Sequence, residues 1–171
     1  MSDETINQAE DAADEAQSAR PVPPLVVNMQ YVKDLSFENP NAPRILASAS
    51  EQPKIDLQVD LQAQGLADNV AEVQIRLRAE ATVGDATAFI AELVYAGVFT
   101  LPPMPAETQR AVLLIEGPRL LFPFARQIIA DVTAQGGFPP LLLQPLDFVD
   151  LYRRQVLAQQ QGQMGDAQGN A

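Results

Sequence analysis

A chain of 171 residues with 47% hydrophobic content is long enough for one domain with a sizeable core. It carries 22 acidic and 11 basic residues, a net charge of −11 that repels phosphate backbones, argues against nucleic-acid binding and favours a basic protein partner. The absence of cysteine and histidine excludes a disulfide framework and thiolate metal sites, and removes the commonest general base and the commonest zinc ligand.

Residues 1–22 are acidic, small and polar, closing on Pro21, Pro23 and Pro24, and are expected to be a disordered tail. Residues 1–20 alone supply −5 of the charge, six acids against one arginine. The start lacks the basic-then-apolar order of a signal peptide, and no apolar run approaches the roughly 18 residues that span a bilayer. A cytoplasmic protein is expected. Val26 to Phe37 then reads as a strand, with Val27, Met29, Tyr31, Leu35 and Phe37 on one parity and Lys33 the exception. Asn28, Gln30, Asp34, Ser36 and Glu38 take the other, so Asp34 and Glu38 share the polar side. Asn39, Pro40, Asn41 and Pro43 stop the strand.

Ile55, Leu57, Val59 and Leu61 alternate with Lys54, Asp56, Gln58, Asp60 and Gln62 in a second strand, and Gly65 to Asn69 reads as a turn. A third strand runs from Ala71 to Val83, and Gly84-Asp85 makes a tight turn into a fourth from Thr87 to Phe99. Short connections imply antiparallel neighbours. On the fourth strand Phe89, Ala91, Leu93 and Tyr95 fall on one face, and Ile90, Glu92 and Val94 on the other. With apolar groups on both, either helices cover one face, or that face packs on another subunit while the opposite one meets a partner.

Prolines 102, 103 and 105 open a helical half. Ala111, Val112, Leu114 and Ile115 form a first apolar stretch, expected to end at Gly117-Pro118. Leu121, Phe122, Ala125, Ile128, Ile129 and Val132 form the stripe of a second helix, starting at or near Pro123 and stopped by Gly136-Gly137. Asp147 is a candidate N-cap for a last helix carrying Phe148, Leu151, Tyr152 and Val156. From Gln159 the periodicity is lost and a second disordered tail is expected over 159–171. The expected fold is α+β: a four-stranded antiparallel sheet followed by helices packed on or beside it, in one domain over 23–158.

Enzymatic signals are weak. Ser48 and Ser50 have no histidine to activate them, and nothing in the spacing supports a serine–lysine arrangement with Lys33 or Lys54. Asp56 with Asp60, and Asp147 with Asp150, are explained by an exposed face and a helix N-terminus. The glycines make no phosphate-cradling pattern. No catalytic residue, metal or cofactor is expected.

The segment Tyr31–Pro43, YVKDLSFENPNAP, resembles the signature near the start of SecB, the bacterial protein-export chaperone family. Three further blocks are similar to that family in the same order: Thr87–Glu92 with Gly97, Val98 and Phe99; Leu121–Arg126 (LFPFAR); and Gly136–Leu143 (GGFPPLLL). The resemblance spans about residues 29–152. It implies an ATP-independent chaperone that holds unfolded secretory precursor proteins in a translocation-competent state and passes them to the SecA motor, assembling as a homotetramer, a dimer of dimers. It also implies that Asp34, Glu38, Ile90 and Glu92 contact SecA. For the client groove, Tyr31, Phe37, Leu46 and Phe138 are the candidates, near the turn-rich segments; for the oligomer interface, Phe89, Ala91, Leu93 and Tyr95. Two departures stand out: LASASEQ lacks the tryptophan that many relatives carry there, and Ala91 replaces a cysteine found in some. An oligomeric peptide-binding module with a fixed ligand is the alternative reading.

Overall fold

The computed structural model describes residues 25–47 and 52–168, with side chains through Ala158. The acidic segment 1–22, Ser48 and Ser50 lie outside the described residues. In chain order the elements are β1 (Val26–Glu38), a short α1 (Arg44–Ala47), β2 (Lys54–Ala67), β3 (Val70–Val83), β4 (Ala86–Thr100), α2 (Ala106–Gln135) and α3 (Phe148–Gln168). The strands form one sheet in the order β1-β4-β3-β2, with every pair antiparallel. The expected four-strand α+β architecture is therefore present.

β2, β3 and β4 form a meander through two tight turns. Asn69 holds φ 58° in the first and Gly84 φ 57° in the second, left-handed values that asparagine and glycine adopt at least cost. β1 pairs with β4 rather than with β2, its neighbour in sequence, so β1 and β2 lie at opposite sheet edges and the chain crosses between them. Asn39 and Asn41 anchor the start of that crossing. Their side-chain amides donate to the Gly136 carbonyl at 3.3 Å and the Thr87 carbonyl at 2.8 Å.

One sheet face is covered by helices. Odd-numbered residues of β3 and β4 point to it: Ala71, Val73, Ile75, Leu77, Ala79 and Ala81 face Phe99, Gly97, Tyr95, Leu93, Ala91 and Phe89 in register. Against them lies the stripe Leu113, Leu114, Gly117, Pro118, Leu121, Phe122, Ala125 and Ile129 of α2. Phe89, Ala91, Leu93 and Tyr95, expected at a subunit interface, are thus core residues of this chain, all buried. Side chains with so little accessible surface have no area to give a second subunit, and helix coverage is the reason β4 is apolar on that face.

Two helices were expected where α2 runs unbroken for 30 residues through Gly117, Pro118 and Pro123. An interior proline costs about 3 kcal/mol, and burial offsets it. Pro118 is fully buried and Gly117 sits against Val73, so these two break signals lie on the face that packs on the sheet, whereas Pro123 is exposed. Each leucine-sized side chain buried there contributes about 1.5–3 kcal/mol, and the stripe from Leu113 to Ile129 would be split by a break. At the start of α3, Asp147 Oδ1 accepts from the backbone N–H of Val149 and of Asp150, both at 3.0 Å, as expected of an N-cap. The helix continues to Gln168, past Gln159 where the tail was expected; alanine, glutamine and methionine propagate a helix without an apolar stripe.

Candidate functional site

No helix among the described residues lies on the opposite face of the sheet. Its residues fall in rows across β1, β4, β3 and β2, read from the registers: Asp34, Val94, Arg76, Asp60; then Ser36, Glu92, Arg78, Gln58; then Glu38, Ile90, Glu80, Asp56. Asp34, Glu38, Ile90 and Glu92 are therefore brought together on one patch, from strands more than fifty positions apart in sequence. Arg78 lies at its centre, its Nη1 2.7 Å from Glu92 Oε1 and its Nη2 2.9 Å from Glu80 Oε2. The carboxylate of Glu92 in particular holds the guanidinium more firmly protonated than usual. A hollow of about 430 Å³ opens between Asp34, Asp60, Arg76, Arg78 and Glu92, floored by Val94. Asp34 and Glu38 are exposed and make no ion pair among the described residues. The patch offers carboxylates beside aliphatic Ile90, a surface suited to a basic, partly apolar partner.

The far end of this face is closed by a different network. Strict alternation would keep Val27, Met29, Tyr31, Leu35 and Phe37 on one side, but β1 bulges between Val27 and Met29 and again between Val32 and Asp34. Each extra residue flips the parity. Met29 and Tyr31 consequently lie on the open face, and Leu35 and Phe37 on the helix-covered one. The second bulge explains Lys33, the exception in the pattern: its Nζ reaches Glu72 Oε2 at 2.8 Å, and Tyr31 Oη donates to the same carboxylate. Gln74 donates to it as well, at 2.6 Å. Glu72 is 5% exposed. Burial works to raise its pKa, but hydrogen bonds from Lys33, Tyr31 and Gln74 and the charge of Lys33 together hold it below the usual range. The hydrogen bond to Glu72 pushes the Tyr31 phenol up.

Of the four client candidates, three meet at the other end of the molecule. Phe37 stacks on Phe89 with ring centroids 5.7 Å apart, and Phe89 lies 5.0 Å from Phe138. Leu46 packs beside them against Gly137, and Gly136 is in contact with the Phe37 ring. These glycines end α2, and a Cβ at either would crowd the cluster. Tyr31 does not join it, being on the open face with its hydroxyl bound to Glu72.

A second concavity escaped the sequence. A cleft of about 850 Å³ lies between the outer half of β2 (Leu61 to Gly65) and Gln109, Arg110 and Leu113 of α2, with Gln155 of α3 at its rim. Gln155 Nε2 donates to the backbone carbonyl of Leu61 at 3.1 Å, so main-chain groups of this edge strand face the cleft. Alternation marks β2 as a strand, but only the sheet order makes it an edge.

No helix among the described residues is long and apolar enough to cross a membrane, and no group of acidic side chains there is arranged to hold a metal ion. A family model described as preprotein translocase subunit SecB matches residues 17–160. Protein-export protein SecB of Rhodospirillum centenum is 63% identical over 169 residues, covering 98% of this chain and all of that one. The protein of the same name from Granulibacter bethesdensis is 54% identical, covering 85% of this chain and 90% of that one. A SecB-like chaperone of Mycobacterium tuberculosis, solved in complex with a ChAD peptide from an antitoxin, has the same fold, with a TM-score of 0.62, 17% identity and coverage of 71% of this chain and 90% of that one. A four-stranded sheet with one open acidic face, and relatives this similar along nearly the whole chain, identify the protein as a member of the SecB family.

Proposed function

We propose that this chain is an ATP-independent protein-export chaperone that holds unfolded secretory precursors and delivers them to the SecA motor through the open face of its sheet. The observation that carries the reading is the uncovered patch where Asp34, Glu38, Ile90 and Glu92 share consecutive rows. Its acidic and aliphatic character suits a basic partner, and the family membership supports an export role.

Client capture is assigned to surfaces away from that patch. The aromatic end with Phe37, Leu46 and Phe138 takes apolar side chains, and the cleft beside β2 offers edge-strand backbone to an extended chain. Each contact is weak, and repetition on several subunits raises avidity by about 10²–10⁴. For assembly into a dimer of dimers, the exposed apolar edge along β1 replaces the buried β4 residues: Val32 and Leu35 lie beside Tyr95 and Leu93, and Phe124 of α2 is 52% exposed while stacking on Tyr95.

Binding of SecA to the Glu92→Lys variant tests the docking face. Weaker binding, with subunit assembly and suppression of precursor aggregation retained, is the expected result. Unchanged SecA binding would remove the open face from the docking role, and loss of assembly would reassign it to subunit contact.

A further inference from the structure

The open patch carries its own cations. Arg78 and Glu92 are direct cross-strand partners, joined at 2.7 Å, and their side chains are 32% and 46% exposed. The same guanidinium also binds Glu80 at 2.9 Å. Two of the carboxylates on this face thus already share one internal cation, while Asp34 and Glu38 are not paired among the described residues. Arg76 stands one row away, between Asp60 and Val94 in register, and makes no ion pair among the described residues.

We propose that Arg78 is a built-in competitor for the basic partner of the open face: it occupies Glu92 with an internal guanidinium that an incoming cation has to displace. The inference rests on the docking reading above and adds to it a residue that sets affinity and selectivity. An exchange of one cation for another at Glu92 gains little net, because a solvent-exposed ion pair is weak and is lost as the new one forms. Asp34 and Glu38 give their full attraction at once. A partner that presents scattered positive charge therefore gains from β1 alone. One whose cation is shaped to take both Glu92 and Glu80 gains from all three strands. Arg78 acts as a filter that lowers affinity for any basic chain and spares the partner that fits.

The test measures dissociation constants for purified SecA with four assembled proteins, wild type, Arg78→Gln, Arg76→Gln and Asp34→Asn/Glu38→Gln, across a series of salt concentrations. Arg78→Gln is expected to bind about two- to five-fold more tightly at low ionic strength, with the gain shrinking as salt brings the Debye length to about 8 Å and below. Arg76→Gln changes the formal charge by the same amount but frees no carboxylate, so its gain is expected to be smaller. Unchanged or weaker binding by Arg78→Gln overturns the proposal, since it would make Arg78 an organiser of Glu92 and not a competitor. An equal gain in Arg76→Gln also overturns it, by assigning the effect to the general field. In both cases Asp34→Asn/Glu38→Gln still weakens binding and the docking reading stands. If that double variant binds SecA as wild type does, the docking reading falls and this inference falls with it.

Discussion

Replacing Gly97 by alanine isolates the contact that seats α2 on the sheet. A Cβ built at Gly97 lies 2.8 Å from Leu121 Cδ2 and 2.9 Å from Phe99 Cε2, and neither side chain is exposed at all. Leucine can change rotamer only into neighbours that are equally packed, and the phenylalanine ring is stiff. Overpacking of this kind costs about 1–3 kcal/mol. Relief of glycine's backbone entropy in a strand returns about 0.5–1 kcal/mol. Taken at the middle of each range, the net loss is about 1 kcal/mol, or roughly 2–4 °C in Tm for a chain of this size. Gly65 is the control on the same sheet: nothing lies within 4 Å of its Cβ position and its φ is not in the left-handed region, so Gly65→Ala is expected to gain about 0.5–1 kcal/mol. Urea unfolding followed by far-UV circular dichroism, at one protein concentration because association shifts apparent stability, gives both values. A Gly97→Ala protein as stable as wild type would refute the close-approach argument.

Three other substitutions probe separate parts of the structure. Glu72→Gln removes a carboxylate that three side chains hydrogen-bond, and is expected to cost about 1–3 kcal/mol at neutral pH. Because the folded-state pKa of Glu72 is lowered, its stabilisation is present above the ordinary glutamate value of 4.5 and is lost as pH falls through the folded value. The difference from Glu72→Gln should thus narrow below about pH 4.5 in acid unfolding curves. Tyr31 has the opposite sign: its pKa is raised, so its contribution holds below pH 10 and disappears as pH rises through the folded value, which Tyr31→Phe should make visible as a flatter alkaline limb. Leu46→Asp puts a charge on the aromatic end at an exposed position, and about two- to ten-fold weaker suppression of precursor aggregation is expected with assembly intact. Phe124→Asp should lower the oligomeric state seen by light scattering while leaving the fold unchanged by circular dichroism; an unaltered mass would clear Phe124 of a role in assembly.

Local periodicity was enough to define much of this protein. Alternation along 54–62 and 71–83 marks two strands because a sheet residue faces core or solvent by parity alone, and Asp147 caps α3 through atoms within three positions of itself. The shared parity of Asp34 with Glu38, and of Ile90 with Glu92, likewise holds on the open face. Whatever depends on residues distant in the chain had to wait for the tertiary structure. β1 is drawn to β4 across the whole meander, and its two bulges turn Tyr31 and Lys33 toward Glu72, some forty positions away. No pattern within residues 26–38 encodes that partner. Gly117-Pro118 reads locally as a stop and Pro123 as a helix start, yet one helix passes through all three because the energy of burying Leu113 to Ile129 on the sheet exceeds the cost of interior prolines. The same packing decided which face of β4 is core and which is left open: parity divides the faces of a strand, but only the position of α2 determines which of them meets water.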